Sequence, residues 1–331
     1  MDLFRDGPDH LIEGDCLEVA RRLVPSGSLA FVYVDPPFGT GRAQPYRFGM
    51  GGTEPPFADR GDPIAWLGVW RPRFEAMIAA LRPGGILVVH LDPRLAPRVR
   101  VALDERLGAA NFLNEIIWHY RSGGVARDRF AAKHDTLLVY RTAPGHAFHR
   151  RTEKRYLAHR ANRPGVEEHR DARGWFRYAR IDDVWEIPFL PADSRERLGY
   201  PTQKPEALIA RLLDAFTSEG DTIADFTCGS GTTPAAATRL ARRWFACDLD
   251  PRAIACTAGR IARLRSQELA DAWDASGVEG RRCDLAERLR RLREDPASWG
   301  LSAAEADAIR AAEMTIARLD PPSSYFRESQ T

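Results

Sequence analysis

The amino-acid sequence predicts an α/β protein with a doubly wound, mostly parallel β-sheet and helices on both of its faces. Segments with helical spacing alternate with short apolar runs, and this alternation is typical of parallel sheets. Aspartates stand at or next to the ends of these runs, so polar side chains should meet at the carboxyl edge of the sheet, where open α/β sheets bind ligands. The apolar runs have the length and composition of buried strands and lie at 29–34, 85–91, 136–140, 221–226 and 244–249.

The first of these runs is followed by the tetrapeptide Asp35-Pro36-Pro37-Phe38. The two prolines fix the backbone and remove two amide donors, so the carbonyl groups here are held in place and cannot be tied up in a helix. A carboxylate, a rigid carbonyl and an aromatic face at one strand end are the groups needed to hold a flat ring that bears an amino group. The sequence Asp-Pro-Pro also occurs where a strand simply ends in a loop, so this motif alone does not identify a binding site.

A glycine turn at 224–237, ADFTCGSGTTPAAA, is the second candidate site, because it lies between a strand and the start of a helix. Gly229 and Gly231 allow a ligand to approach the backbone closely. No lysine follows Gly231, which excludes a Walker loop, and Pro234 replaces the third glycine of a dinucleotide-binding turn. Asp225 would repel a pyrophosphate but suits a cationic ligand that carries an amino acid, such as S-adenosylmethionine.

Asp248 stands 23 residues after Asp225, at the end of the next apolar run. A carboxylate about 20 residues beyond a glycine turn is placed to accept hydrogen bonds from both hydroxyl groups of a ribose. The nearby Asp250 is the second choice for this contact. The sequence therefore predicts that a nucleoside-containing ligand binds between these two strand ends.

In their order along the chain, these blocks resemble the amino-group DNA methyltransferases of the β arrangement, in which the catalytic motif precedes the cofactor motif. Many small-molecule and protein glutamine methyltransferases of related fold have the reverse order. The resemblance covers about residues 10–262 and implies a Rossmann-like methyltransferase fold with a circularly permuted motif order. Besides the two candidate sites it rests on LIEGDCLEVARRL (11–23), LRPGGILVVHLD (81–92), NEIIWHYRSGG (114–124), KHDTLLVY (133–140) and GYPTQKPEALIARLL (199–213).

The resemblance implies S-adenosylmethionine as the cofactor, double-stranded DNA as the substrate, and a set of site residues. The catalytic residues would be Asp35, Pro36, Pro37 and Phe38. The cofactor would contact Asp15, Cys16, Thr202, Gln203, Lys204, Asp225, Phe226, Cys228, Gly229, Gly231, Thr232, Thr233 and Asp248. DNA would contact Arg121, Arg127, Arg129 and Lys133.

In the mechanism that the resemblance implies, the target base leaves the duplex and stacks on Phe38. The carboxylate of Asp35 and the carbonyl of Pro36 then accept the two hydrogens of its exocyclic amine. Family members that begin this motif with Asp act more often on adenine N6 than on cytosine N4. The sequence therefore favours adenine N6, with cytosine N4 as the alternative, and Phe38 in place of the commoner tyrosine does not decide between them.

The interval from Arg121 to Lys204 carries 18 Lys and Arg against 11 Asp and Glu, a local net charge of +7, and the rest of the chain carries −5. This interval mixes arginines with aromatic residues and is poorly periodic. Such a basic interval is typical of phosphate contact, although a solvated basic surface has the same composition. Within the family resemblance, roughly residues 141–200 would be the target recognition region.

These observations predict four parts of the chain. Residues 1–140 would be the catalytic half of the methyltransferase domain, 141–200 the target recognition region, 201–262 the cofactor-binding half, and 263–331 a helical C-terminal extension. The extension has helical spacing and alternating charge and lies outside the resemblance. It could pack on the body of the protein or on a second copy of the chain, which leaves a homodimer open. A cognate restriction endonuclease would be the partner in a restriction–modification system.

The composition is that of a globular protein of 331 residues, 44% of them hydrophobic, with no apolar run near the roughly 20 residues that cross a membrane. The N-terminal residues lack the apolar core of a secretory signal, so we expect a cytoplasmic protein. The five cysteines form no CxxC pair, which favours reduced thiols. No histidine clusters with cysteine at the spacing of zinc ligands, so no metal is expected.

Two other classes of function stay open. A nicotinamide-dependent oxidoreductase would need the glycine that Pro234 replaces, and its chemistry would not explain the Asp35-Pro36-Pro37-Phe38 motif. A regulator that binds nucleic acid without catalysis would be expected to have lost either this motif or the glycine turn, and both are intact.

Overall fold

The computed structural model describes residues 9–38, 62–121, 126–160, 165–191, 193–275 and 315–318, with the backbone alone for 266–275 and 315–318. The helices in these ranges are α1 (Cys16–Leu23), α2 (Pro63–Ala80), α3 (Ala96–Leu107), α4 (Glu206–Phe216), α5 (Thr232–Arg239) and α6 (Pro251–Ala275). The strands are β1 (His10–Glu13), β2 (Leu29–Val34), β3 (Leu81–Leu91), β4 (Phe112–His119), β5 (His134–Arg141), β6 (Thr152–Tyr156), β7 (His169–Asp171), β8 (Gly174–Arg180), β9 (Val184–Glu186), β10 (Thr222–Asp225), β11 (Arg243–Asp248) and β12 (Thr315–Arg318).

Nine of these strands form one twisted sheet in the order β12-β1-β11-β10-β2-β3-β5-β4-β9. The six strands from β12 to β3 are parallel to one another, β5 is antiparallel to both β3 and β4, and β9 is parallel to β4. Each of the five predicted apolar runs is a strand of this sheet. The predicted α/β fold with a mostly parallel sheet is therefore confirmed.

Alternate residues of the central strand β2 face two different hydrophobic cores, which is why all six of its residues are buried. Val32 and Val34 pack in the core that also contains α1, α2 and α3. Phe31 and Tyr33 pack in the core on the other face, which contains α4, α5 and α6. The sheet is thus covered on both faces, as a doubly wound fold requires.

A separate three-stranded antiparallel sheet, in the order β6-β8-β7, lies inside the predicted recognition region 141–200. The chain then returns to the main sheet through β9, which pairs with β4 from Ile117↔Val184 to His119↔Glu186. The side chain of Trp118 fixes this return by donating from Nε1 to the carbonyl of Ile187 at 2.7 Å. The region therefore leaves the main sheet after β5 and rejoins it at β9, on the other side of β4.

The C-terminal part differs from the prediction of a helical extension at 263–331. Helix α6 runs without a break across the predicted boundary at 262/263, and residues 315–318 form the edge strand β12 instead of a helix. They pair with β1 in parallel, from His10↔Thr315 to Glu13↔Arg318. The free backbone groups at a sheet edge attract a further strand, and Thr315 and Ile316 are of the β-branched type that favours one. Residues 276–314 and 319–331 of the predicted extension lie outside the described residues.

Within the described ranges, no helix has both the length and the apolar character needed to cross a membrane.

Candidate active site

The ends of three neighbouring parallel strands bring three aspartates to one edge of the main sheet. Asp225 of β10 lies opposite Tyr33 of β2 on one side and Ala246 of β11 on the other. Asp35 and Asp248 each follow two residues beyond these partners. The sheet register, and no local sequence pattern, places the three carboxylates side by side.

A hydrogen bond joins the two predicted motifs directly. The backbone N–H of Asp35 donates to Oγ1 of Thr227 at 2.9 Å, across a sequence separation of 192 residues. Thr227 belongs to the turn that follows β10. The predicted catalytic motif and the predicted cofactor turn are therefore parts of one site.

The rest of the Asp35-Pro36-Pro37-Phe38 motif is held by residues of the neighbouring elements. The carbonyl of Pro37 accepts a hydrogen bond from Nε1 of Trp66, in α2, at 2.6 Å. Pro36 is buried, and Phe38 is half-buried with its ring 6.1 Å from that of His90, in β3. The motif is therefore held by a hydrogen bond at Pro37 and by an aromatic contact at Phe38.

The glycine turn has the backbone shape that its sequence predicts. Gly229 and Gly231 have φ values of +51° and +74°, in the left-handed region. A Cβ atom on Gly231 would lie only 2.7 Å from Oγ1 of Thr257, whose hydroxyl also donates to the carbonyl of Gly229 at 3.0 Å. The turn is packed so closely against α6 that no larger residue fits at position 231.

Asp248 accepts two backbone hydrogen bonds at the end of β11. Its Oδ2 accepts from the N–H of Gly229 and its Oδ1 from the N–H of Asp250, both at 2.9 Å. Burial raises the pKa of Asp248 in spite of these donors. The second candidate, Asp250, is instead engaged by the guanidinium of Arg252 at 2.7 Å. Of the two carboxylates, Asp248 is the one in contact with the glycine turn.

Asp225 is almost completely buried, with 3% of its surface exposed. Its carboxylate accepts from the N–H of Thr227 at 3.0 Å. Burial raises the pKa of Asp225 to about 7, and the nearby charges of Asp35 and Asp248 act in the same direction. A cationic ligand at this edge would favour the ionised form of Asp225, because it would offset both effects.

Lys204 reaches the catalytic motif and not only the glycine turn. Its ammonium group forms an ion pair with Oδ2 of Asp35 and lies 5.3 Å from the centre of the Phe38 ring. Its backbone carbonyl accepts from Oγ1 of Thr232, the first residue of α5, at 3.0 Å. The prediction placed Lys204 among the cofactor contacts, whereas its charge lies at the predicted base-binding motif.

The other predicted contacts around Lys204 have structural partners. Gln203 accepts from the N–H of Leu198 at 2.8 Å and donates to the carbonyl of Glu196 at 2.7 Å, which closes the loop before α4. Thr202 is exposed at the surface of this loop. Phe226, Cys228, Thr232 and Thr233 are buried around the turn.

Asp15 caps α1 and is paired with a buried arginine. Its Oδ1 accepts from the N–H of Leu17 at 2.9 Å, and its Oδ2 from Nη2 of Arg73 at 2.7 Å. Burial raises the pKa of the neighbouring Cys16 to about 12, so this thiol stays protonated. Arg73 lies in α2, and no motif in the sequence marks it.

Arg260 of α6 is a second buried arginine that the sequence did not reveal. It donates to Oγ1 of Thr232 at 3.1 Å, to the carbonyl of Ser230 at 3.3 Å and to Oε1 of Glu206 at 2.6 Å. These bonds tie the glycine turn to α4 and α6. The one signal in the sequence is that helical spacing places Arg260 on the same face of α6 as its small residues, which would suggest that the side chain faces inward.

A chain of polar side chains beside Phe38 crosses β2, β3 and β5 and ends at the half-buried Tyr120, just after β4. The hydroxyl of Tyr33 lies 2.7 Å from Nδ1 of His90, Nε2 of His90 lies 3.2 Å from Oδ2 of Asp135, and Tyr120 donates to Oδ1 of Asp135 at 3.0 Å. Burial raises the pKa of Tyr33, so its hydroxyl stays protonated. Burial would also raise the pKa of Asp135, but its hydrogen bond from His90 and the charge of Lys204 outweigh this and lower it.

The residues predicted to contact DNA lie on the segment between β4 and β5. Because β5 is antiparallel to β3, this segment leaves the sheet at the edge that carries Asp35. Lys133 closes the segment, since its carbonyl accepts from the N–H of Tyr120 at 2.9 Å. Arg121, Arg127 and Arg129 are exposed. Residues 122–125 of this segment lie outside the described residues.

Comparison with known proteins connects this site to a family. A family model for DNA methylases of the N6/N4 type matches residues 29–258. The type II methyltransferase M.HpaI of Haemophilus parainfluenzae is 24% identical over 219 residues, which are 66% of this chain and 65% of that protein. The match thus spans slightly less than two thirds of the length of this relative.

Two solved structures have a similar fold. The cytosine-N4-specific PvuII DNA methyltransferase is 15% identical with a TM-score of 0.55, over 96% of this chain and 100% of that chain. A putative DNA modification methylase of Thermus thermophilus, in complex with S-adenosyl-L-methionine, is 22% identical with a TM-score of 0.51, over 77% of this chain and 94% of that chain. At these identities the likeness supports the fold alone.

Proposed function

We propose that the chain methylates adenine N6 in double-stranded DNA with S-adenosylmethionine as the methyl donor. The chain belongs to the N6/N4 DNA methylase family, because the family match at residues 29–258 covers more than half of the chain. The observation that carries this proposal is the hydrogen bond from Asp35 to Thr227 at 2.9 Å, which joins the base-binding motif to the cofactor turn. A methyl group can pass between two molecules only when both are held at the same place.

The edge of the sheet fits a cationic methyl donor. Asp35, Asp225 and Asp248 supply carboxylates at adjacent strand ends, and burial favours a ligand that compensates their charge. Gly229 and Gly231, with positive φ values, give the backbone of the turn the shape that an adenosine group would meet. Asp248 keeps free acceptor capacity for a ribose, because each of its oxygens uses one of two lone pairs.

When it is bound, S-adenosylmethionine supplies a methyl group on a sulfonium centre that can be transferred directly to a nitrogen. The chain has to bring the nitrogen to that methyl group in the right orientation. A flipped base would stack on Phe38, which is worth about 1–3 kcal/mol against the cost of unstacking. Asp35 and the carbonyl of Pro36 would accept the amine hydrogens, which turns the nitrogen lone pair away from conjugation with the ring. The amine releases one proton overall when the new N–C bond has formed.

DNA would be held by the basic interval that includes the three-stranded sheet. In this proposal, residues 141–200 recognise the target sequence. The DNA backbone close to the flipped base is contacted by Arg121, Arg127, Arg129 and Lys133. Residues 1–140 and 201–262 form the catalytic and cofactor-binding halves. Phosphate contacts position a protein on the duplex, and base contacts in the grooves give it specificity.

The choice of base is tested by analysis of modified nucleosides. The full chain is expressed in a host that lacks DNA methylation, and its DNA is digested and analysed by mass spectrometry, with Asp35→Ala as the control. N6-methyladenine with the wild type alone is the expected result. N4-methylcytosine in its place would move the assignment to the alternative base, and the absence of both would refute the proposed activity.

A further inference from the structure

The ion pair between Lys204 and Asp35 is enclosed by the protein. The two side chains are 10% and 16% exposed. Withdrawing both charges from water costs free energy that their mutual attraction often fails to recover, so a pair of this kind is poorly explained as a device for stability. A role in the site itself accounts for it better, because Asp35 is the carboxylate that the proposed function uses.

The same ammonium group also faces the surface on which the base would stack. At 5.3 Å from the centre of the Phe38 ring, Nζ of Lys204 is within the range of a cation–π contact. Lys204 thus touches both side chains that would hold the base. Within the described part of the chain, Lys204 donates to Oδ2 of Asp35 and no residue donates to Oδ1, so Oδ1 offers the greater acceptor capacity to a ligand.

The backbone of Lys204 is anchored on the cofactor side of the site. Its carbonyl accepts from Thr232 at 3.0 Å, and Thr232 is itself held by Arg260 at 3.1 Å. Pro205 follows and fixes the chain as α4 begins. The backbone of Lys204 is fixed next to the glycine turn and its side chain binds Asp35. Lys204 therefore couples the position of Asp35 to that of the turn.

We propose that Lys204 is a positioning residue of methyl transfer, which holds Oδ2 of Asp35 so that Oδ1 receives the target amine above the Phe38 ring. This inference rests on the proposed function. It differs from the prediction that Lys204 contacts the cofactor, because its effect then falls on the rate of transfer and not on cofactor affinity.

Three purified full-length variants test this role: Lys204→Met, Lys204→Arg and, as a control, Arg71→Met. Arg71 forms a surface pair with Glu105 at 3.3 Å, with both side chains about half exposed, far from the motif in sequence and outside the basic interval. The measurements are the single-turnover rate of methylation at saturating cofactor, the KM for DNA, and the Kd for S-adenosylmethionine by calorimetry.

We expect Lys204→Met to lower the single-turnover rate by about 100-fold, since small errors in the placement of a reacting group have effects of this size. The Kd for the cofactor should stay within about threefold, the KM for DNA should change little, and Lys204→Arg should recover about tenfold of the rate because a guanidinium can also hold Oδ2. Arg71→Met should behave as the wild type.

Two outcomes would overturn the inference. A weaker cofactor affinity with an unchanged rate at saturation would make Lys204 a cofactor contact. A faster Lys204→Met variant would also contradict it, because it would mean that the positive charge mainly opposes the cation forming on the nitrogen. If Lys204→Met binds no cofactor, Lys204→Gln is measured in its place. We then expect a rate at least tenfold below that of the wild type, and a normal rate would contradict the role. An inactive wild type would refute the proposed function instead.

Discussion

Charged side chains are held in opposite ways at the carboxyl edge of the main sheet and on the three-stranded sheet. At the edge they are largely buried and bind partners far away in the chain, as in Lys204 with Asp35 across 169 residues. On the small sheet they are more exposed and some bind close partners, as in Lys154 with Asp171 across 17 residues at 2.9 Å, while Glu153 reaches Arg211 across 58 residues.

This difference separates parts of the protein that tolerate change from parts that do not. An exposed ion pair contributes about 0–1 kcal/mol, so the small sheet can exchange its arginines with little effect on folding. A buried pair leaves an uncompensated charge when one partner is removed. We therefore expect substitutions at the edge to abolish function or destabilise the fold, and substitutions of exposed arginines in the basic interval to change DNA affinity by degrees.

The largest effect is expected for Asp35→Ala, which removes the acceptor of the target amine. Methyl transfer should fall by at least about 10³-fold, because the loss falls on the transition state, while the Kd for S-adenosylmethionine stays within about tenfold. Single-turnover assays and calorimetry measure the two quantities. Glu105→Ala, on the surface, serves as the control. Turnover near the wild-type level in Asp35→Ala would rule out the proposed role.

A matched pair of arginine substitutions tests the comparison itself. Arg73→Ala breaks the enclosed pair with Asp15 at 2.7 Å, and Arg155→Ala breaks the exposed pair with Asp182 at 2.6 Å. We expect losses of about 2–4 kcal/mol and of less than about 1 kcal/mol in the free energy of unfolding, measured by urea denaturation. Equal losses in the two variants would show that burial does not distinguish the two regions.

Asp248→Ala should weaken S-adenosylmethionine binding by about 1.5–3 kcal/mol, the contribution of charge-assisted hydrogen bonds to a ribose. Part of the effect comes from the glycine turn, because Asp248 also accepts the N–H of Gly229 at 2.9 Å. Asp248→Asn separates the two, since an amide oxygen can still hold the turn. Calorimetry that gives wild-type affinity for Asp248→Ala would move the ribose contact to another residue.

The pKa of about 7 at Asp225 predicts that cofactor affinity depends on pH. Below pH 7 the free protein carries a proton on Asp225, and a cation must displace it, so the Kd should rise by about fivefold from pH 7 to pH 6. In the ligand-free protein, the free energy of unfolding should fall as the pH rises from about 4 to 7, because the folded state holds a proton that the unfolded state has released.

Asp225→Asn is the control for this dependence on pH, and its Kd should be weaker at pH 8 and nearly constant between pH 6 and 8. A wild-type Kd that stays constant over this range would contradict the assignment of the titration to Asp225.

The smallest effects are expected for Arg127→Ala and Arg129→Ala, on the exposed segment between β4 and β5. If each arginine neutralises one phosphate, each substitution should lessen the slope of log affinity against log salt by about 0.9. An arginine that reads a base should relax the sequence preference instead, at about 1–3 kcal/mol. DNA affinity that is insensitive to salt in the wild type would make the basic interval a solvated surface.

The strands and the two motifs could be predicted because their signals are local. A run such as 29–34 is apolar throughout since both faces of a central parallel strand are buried, and Gly231 has to be glycine because Thr257 leaves no room for a side chain. The roles of the predicted site residues in catalysis and binding stay predictions until the variants are measured.

The parts that could not be predicted depend on contacts between distant residues. The register of β2, β3 and β5 aligns Tyr33, His90 and Asp135 with Tyr120 just beyond β4, and no single segment shows that alignment. Likewise, TQKP at 202–205 shows which residues are present but not that the ammonium of Lys204 turns towards Asp35. Strand β12 was missed because an edge position in a sheet outweighed a helical pattern.

The hydrogen bond between Asp35 and Thr227 does not depend on how the chain connects its two partners. Its partners are 192 residues apart but meet because β2 and β10 are adjacent strands, so the contact is set by strand pairing and not by nearness in the sequence. A chain divided in the loop before α4 would still carry β2 on one fragment and β10 on the other. Reassembly of such fragments would then be expected to restore the proposed methylation only when both are present, and its return would report that two attached proteins have come together.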